Sequence, residues 1–146
     1  EHTPEGLTTE NRENRVAMVD KRFKKISMMK KEMNLPSISS EESSFFLTGW
    51  GSSKGSILEA SLRLRAEGMD IGWIIFEDIW PLDFVKLREI LYGKKLIMVE
   101  GNATCQLGTL IRQQTGVDYV SSVLKYDGRP IFPEYIIEKI KQTMEC

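Results

Sequence analysis

Four times in this chain a short strand-like stretch gives way, across a turn, to a segment with one apolar helical face, and few folds accept that order. Ile71 to Phe76 is almost wholly apolar, Lys95 to Val99 is a second apolar run, and Ser44 to Thr48 is a shorter one. Runs of this kind suit strands covered on both faces. Tyr119 to Leu124 alternates and reads as an edge strand. The intervening segments have helical spacing. Ile57, Leu58, Ser61, Leu62 and Arg65 mark one face between Lys54 and about Arg65, and Glu67-Gly68 ends that helix. Pro81-Leu82-Asp83 opens a second helix, with Asp83 as first-turn acid or cap and Phe84, Val85, Leu87, Ile90 and Leu91 as its stripe. Gln106 to Gln114 forms a third, closed by Gly116, and Pro133 to Met144 a fourth, striped by Ile136, Ile137, Ile140 and Met144. Such alternation predicts an α/β fold with a mostly parallel sheet, right-handed crossovers and helices on both faces.

What precedes this pattern is different in kind. Residues 1 to 43 read as an N-terminal arm, an amphipathic helix from about Arg12 to Met33 and a Ser-rich linker; residues 44 to 146 read as the α/β domain. Val16, Met18, Val19, Phe23, Ile26 and Met29 recur at roughly helical spacing, and Lys21, Arg22, Lys24 and Lys25 are read as the solvated side of that helix. Leu35-Pro36 ends it, and Ser37, Ser39, Ser40, Glu41, Glu42, Ser43 and Ser44 form a tract too polar to build a core.

Composition removes several classes of function. At 146 residues the chain suffices for one core, and its net charge of −1 gives no electrostatic case for nucleic acid. Two cysteines, Cys105 and Cys146, and one histidine, His2, cannot furnish a disulfide framework, a structural zinc site or an iron–sulfur cluster. No apolar run approaches the roughly 20 residues of a membrane span. A reducing cytoplasm is the expected setting, and a chain that begins with Glu1 is expected to be a fragment of something longer.

Candidate chemistry gathers at the strand ends. Leu47 to Ala60 runs from an apolar strand through a Gly/Ser turn into a helix, where free backbone N–H groups collect. The turn lacks P-loop and dinucleotide spacing, so its ligand candidates are Lys54 and the Trp50, Gly51, Ser52 and Ser53 backbone. Lys54 offers charge to a phosphate or carboxylate, although a solvated lysine is the plainer reading. Glu77, Asp78 and Glu100 lie near predicted strand ends as paired-carboxylate candidates, against a plainer role as caps or water-facing acids. Cys105 falls in the first turn of a helix, where the macrodipole favours a thiolate; a small buried filler is the preferred alternative. A lone His2 in an arm supports no Ser-His-Asp or Cys-His arrangement. Trp50, Trp73 and Trp80 read as core or interface residues.

Four ordered motifs then suggest a family. Trp50-Gly51-Ser52-Ser53-Lys54-Gly55, Asp78-Ile79-Trp80-Pro81-Leu82, Val99-Glu100-Gly101-Asn102-Ala103-Thr104-Cys105-Gln106-Leu107 and Leu124-Lys125-Tyr126-Asp127-Gly128-Arg129-Pro130 together resemble the C-terminal region of the α subunit of 2-oxoacid:ferredoxin oxidoreductases, of the 2-oxoglutarate or broad-specificity type. The resemblance implies a three-layer α/β/α domain, similar to the transketolase C-terminal domain, with a five-stranded, mostly parallel sheet and one antiparallel edge strand. Pro130-Ile131-Phe132 is the candidate for the fifth strand. Members of the family often read Glu-Asn-Asn-x-x-Gly-Gln-Leu at the third motif, so here Gly101 replaces an Asn and Cys105 a Gly.

The resemblance also implies a function that this chain does not carry alone. The family's enzymes decarboxylate a 2-oxoacid oxidatively to an acyl-CoA and reduce ferredoxin, using thiamine diphosphate, magnesium and iron–sulfur clusters. No motif for these cofactors stands in this chain, so none is expected to bind it, and the chain by itself is expected to be inactive. The favoured expectation is a structural and assembly domain contacting the remaining α-subunit domains and the β subunit through Trp50, Trp80 and Asn102, with ferredoxin and CoA as partners of the whole enzyme. The alternative is a small-anion or CoA-binding module in which the Gly51 to Gly55 turn, Lys54, Glu100 and Asn102 border one cleft.

Overall fold

The computed structural model describes residues 1–39 and 42–144, the side chain of Met144 excepted. Ser40 and Glu41 of the expected linker, Cys146, and Met144 as a member of the last helical stripe lie outside the described residues. Five strands form one sheet: β1 (Ser37–Ile38), β2 (Phe45–Trp50), β3 (Ile71–Phe76), β4 (Lys95–Glu100) and β5 (Tyr119–Leu124), in the order β1-β3-β2-β4-β5. β2, β3, β4 and β5 are mutually parallel, and β1 pairs antiparallel with β3 through Ser37 opposite Ile75 and Ile38 opposite Ile74.

Alternation along each strand sorts its side chains into two layers. Phe46, Ile74, Phe76, Leu96 and Met98 face α3 (Phe84–Leu91) and α4 (Gln106–Thr115), where they meet Leu87, Leu91, Leu107 and Ile111. Leu47, Ile71, Ile75, Ile97, Val99 and Val123 face α2 (Lys54–Ala66) and α5 (Pro133–Met144), against Ile57, Ala60, Leu64, Ile136 and Ile140. Each fully buried aliphatic or aromatic side chain contributes about 2 kcal/mol relative to exposure. The three-layer architecture thus follows from residues i and i+1 of the same strand belonging to opposite cores.

The caps agree with the sequence. Asp83 accepts from Lys86 N at 3.2 Å at the start of α3, and Gly116 closes α4 at φ 74°. A 3₁₀ turn, Gly51–Ser53, precedes α2.

The fifth strand departs from expectation. It is Ser37–Ile38, not Pro130-Ile131-Phe132, so the polar tract read as a linker supplies the antiparallel edge. Its serines are structural: Ser39 Oγ accepts from Trp73 N at 2.8 Å, and Ser44 donates from N and Oγ to Asp70 at 2.9 and 2.5 Å. Gly72 permits this approach, since a Cβ there would stand 2.7 Å from Ser39 Oγ and 2.9 Å from Ser43 Oγ. Pro130 has no N–H for a ladder, and the 130–132 stretch is held instead by Ser56 Oγ donating to Ile131 O at 2.6 Å.

α1 (Arg12–Glu32) starts at Asn11, whose Oδ1 accepts from Asn14 N at 2.8 Å. The arm returns along it, with the Arg22 guanidinium bidentate to Glu1 at 2.9 and 2.7 Å. Its junction to the sheet is made by Asn34, which donates from N and Nδ2 to Asp78 Oδ2 at 2.8 and 3.2 Å.

Candidate functional site

β2 and β4 lie side by side, but the chain leaves β2 toward β3 on one side and returns to β4 on the other. The helices that follow them, α2 and α4, lie on opposite faces. A crevice opens at the carboxyl ends of strands wherever topology reverses in this way. Pairing between β2 and β4 ends at Thr48 opposite Met98, and beyond it lies an open cleft of about 690 Å³. Its walls are Trp50 to Ser53 after β2, Glu100 to Asn102 with Gln106 after β4, and Lys125 to Ile131, Asp127 excluded, after β5.

Six of the eight expected residues meet there: Trp50, Gly51, Ser52, Ser53, Glu100 and Asn102. The turn after β2 is internally braced, with Trp50 N donating to Ser53 Oγ at 3.2 Å and Ser53 Oγ donating to Trp50 O at 2.8 Å. Gly49 just before it is required by a close approach: a Cβ would stand 2.5 Å from Ile57 Cδ1 and 2.8 Å from Val99 O. Lys54 and Trp80 lie elsewhere. Lys54 Nζ pairs with Glu77 Oε1 at 2.7 Å, both side chains being about half exposed. Trp80, 53% exposed, leans on Phe84 with ring centroids 5.6 Å apart.

Glu100 has turned inward. It is 1% exposed and accepts from Leu107 N at 3.0 Å, Gly108 N at 3.1 Å, Asn102 Nδ2 at 2.8 Å and Cys105 Sγ at 3.3 Å. Burial alone would raise this carboxyl; donation from Leu107, Asn102, Gly108 and Cys105 outweighs it and holds the group below its ordinary value. Asn102 completes the turn, its Oδ1 accepting from Thr104 N at 3.1 Å and Gln106 N at 3.2 Å. The N-terminal amides of α4 that an external anion would need are therefore taken by Glu100 and Asn102. Asn102, offered by sequence as a contact residue, spends both amide atoms inside the turn.

Cys105 is the buried residue that the preferred reading expects, not a thiolate. Burial, and then the Glu100 carboxylate beside it, push its thiol up to about 12. The positive end of α4 is occupied by that carboxylate, so no stabilisation remains for a second anion. Cys105 also has φ 51°, alone among the described non-glycine residues in being left-handed, at the position where the resembling family often has Gly.

Cations reach the cleft from a loop that sequence reasoning left out of the site. Lys125 N donates to Glu100 O at 3.1 Å, while its side chain, 12% exposed, binds Asp127 and lies 5.5 Å over the Tyr135 ring. Arg129 N donates to Asp127 Oδ1 at 3.1 Å, and the exposed Arg129 guanidinium has no ion pair among the described residues. Trp50 and Tyr126 add two exposed rings. The legible signal was the Asp127-Gly128 turn after β5, which places its neighbours at the same sheet edge. The carboxylate and the amine of the cleft are both committed, Glu100 to α4 and Lys125 to Asp127, and arginine stays charged. The arrangement suits holding a planar or anionic group, or a protein surface, rather than moving protons.

No family model matches the chain. The α subunit of a 2-oxoacid:ferredoxin oxidoreductase from Saccharolobus solfataricus is 33% identical over 150 residues, covering 99% of this chain and 24% of its own length. A second such α subunit, from Aeropyrum pernix, is 32% identical over 150 residues, covering 99% of this chain and 23% of itself. This chain belongs to the α-subunit family of the 2-oxoacid:ferredoxin oxidoreductases. It spans about a quarter of the length of the relatives it matches. Among solved structures, the 2-oxoglutarate:ferredoxin oxidoreductase of Magnetococcus marinus, with 2-oxoglutarate, coenzyme A and succinyl-CoA bound, matches at TM-score 0.75 and 27% identity over 97% of this chain and 25% of that one. The α chain of a probable 2-oxoacid ferredoxin oxidoreductase from Thermoplasma acidophilum matches at TM-score 0.54 and 26% identity over 77% of this chain and 98% of that one.

Of the groups that the family resemblance implies, a metal ion and an iron–sulfur cluster do not fit the described residues of this region. Among the described residues no group of three or more His, Cys, Asp or Glu could hold a metal, and Cys105 is the one cysteine described, where an iron–sulfur cluster takes about four thiolates. No helix among them is long and apolar enough to cross a membrane.

Proposed function

We propose that this chain is the C-terminal structural and assembly domain of the α subunit of a thiamine-diphosphate-dependent 2-oxoacid:ferredoxin oxidoreductase of the 2-oxoglutarate type. The observation that carries this reading is the state of the cleft: its one buried carboxylate is saturated by α4, and its amine is held by Asp127. The chain matches only about a quarter of each α subunit, which supports assigning thiamine and cluster chemistry to the remainder. The compact unit takes in Ser37–Ile38 as its edge strand, and the arm and α1 lead into it. Trp50 and Tyr126 at the cleft, and Trp80 away from it, offer the apolar contacts to the remaining α-subunit domains and the β subunit.

The test compares the α subunit with and without this region for association with the β subunit on size exclusion. Loss of the complex on removal is expected, and normal assembly and turnover of the shortened subunit would refute the reading. The chain alone, given 2-oxoglutarate, CoA, thiamine diphosphate and an electron acceptor, is expected to form no acyl-CoA.

Arg129 favours a second reading, a CoA or small-anion subsite in the same cleft. The bound coenzyme A and succinyl-CoA of the Magnetococcus marinus protein make such a ligand the natural probe.

A further inference from the structure

No side chain of α1 belongs to either apolar layer of the sheet, and α1 has no extended contact with another helix or strand. Its 21 residues reach about 30 Å, yet Met18 is its one buried residue. In proteins most of a helix's stability comes from packing an apolar face against other elements rather than from propensity. Val16 and Phe23, 61% and 64% exposed, stand two turns apart on one face. Val19 and Ile26, half-buried, complete an i, i+3, i+7, i+10 seam. The helix carries eight Lys or Arg against three Asp or Glu, within a chain of net charge −1.

We propose that α1 is a docking helix whose Val16–Phe23 seam is covered, in the intact α subunit, by a surface of the remaining three quarters of that subunit, an apolar groove edged by carboxylates. The inference rests on the assembly reading and names a second contact surface, apart from the cleft. Two observations commit it to this occupant. The related α subunits are about four times as long as this chain and match it over 99% of its length, so α1 lies inside the matched span and most of the subunit lies outside it. The excess of positive charge around the seam selects an acidic rim, because like charges facing one another would oppose docking.

Hydrogen exchange on the intact α subunit, alone and with the β subunit, tests the proposal. The α1 amides should exchange about a hundredfold more slowly than unstructured chain. Val16→Asp with Phe23→Asp, or the milder Phe23→Ser, should remove at least about tenfold of that protection while peptides from β2 and β4 keep theirs. Leu62→Asp on α2, at a residue 67% exposed, should leave α1 protected. Fast exchange of α1 in the intact wild-type subunit overturns the proposal, whether or not α and β assemble. Protection that appears only in a dimer of this chain assigns the seam to a second copy and overturns it too. Failure of the α subunit to bind β, with α1 protected, refutes the assembly reading and leaves the α1 surface standing.

Discussion

The Cys105 thiol donates to Oε1 of Glu100 across 3.3 Å, so the residue just before α4 and the last residue of β4 are fastened through their side chains. The same carboxylate takes the Leu107 and Gly108 amides in the first turn of α4. One buried acid thereby sets the angle at which the helix leaves the sheet and forms the floor of the cleft.

Glu100 should shape the acid limb of stability. Its folded carboxyl sits below the ordinary value of 4.5, so its contribution is present above that pH and is lost as pH falls from 4.5 through the folded value. Glu100→Gln should cost about 2–3 kcal/mol at neutral pH and leave a shallower acid loss. Urea midpoints at neutral and acid pH measure both, and an unchanged acid slope would assign that loss to other carboxylates.

Cys105 should resist alkylation while the chain is folded. Its thiol is raised from 9.0 to about 12, so the protonated form stabilises the fold below 9.0 and that contribution fades as pH rises from 9.0 toward 12. Iodoacetamide labelling with mass mapping of the Cys105 peptide, with and without urea, separates native from unfolded reactivity. Rapid native labelling would contradict the buried pair.

Cys105→Gly should be more stable than Cys105→Ala by about 1 kcal/mol, because both lose the thiol donor and only glycine escapes the left-handed cost at φ 51°. Gly108→Ala should destabilise by about 1–3 kcal/mol, since a Cβ there meets Cys105 Sγ at 2.6 Å, Tyr119 Cε1 at 2.9 Å and Met98 Cγ at 3.0 Å. In the Cys105→Gly background the penalty should shrink, as the nearest of these atoms is gone. A double-mutant cycle from denaturation midpoints gives the coupling, and strict additivity would remove the steric account.

Lys54→Ala should change stability by no more than about 1 kcal/mol, because its partner Glu77 and the lysine itself are about half exposed. In calorimetry with CoA, phosphate and 2-oxoacids, any saturable heat should survive Lys54→Ala and vanish in Arg129→Ala. The opposite pattern would move the anion site out of the cleft.

Legibility followed the range of the interaction. Ile71–Phe76 and Pro133–Met144 have the limits that the apolar pattern assigns them, and Asp83 and Gly116 cap helices where their chemistry places them, because these depend on neighbours a few residues away. The Ser37–Ile38 edge was illegible: two residues carry no period, and their partners stand 36 or more positions along the chain. Lys54 read as a free cation because nothing local names Glu77, which lies 23 residues on. Arg129 and Tyr126 were overlooked at the site because only the order β2-β4-β5 brings their loop beside Trp50.

The sequence by itself determined the four parallel strands and the four helices that follow them, and the two apolar layers, since residue type and spacing decide which side of a strand or helix is buried. The tertiary structure alone decided which polar groups meet. Glu100 faced equally well toward solvent or toward α4 in the sequence, and it became a buried anchor because four donors converge on it at the point where the chain reverses across the sheet. Such convergence depends on direction in space, which periodicity does not encode.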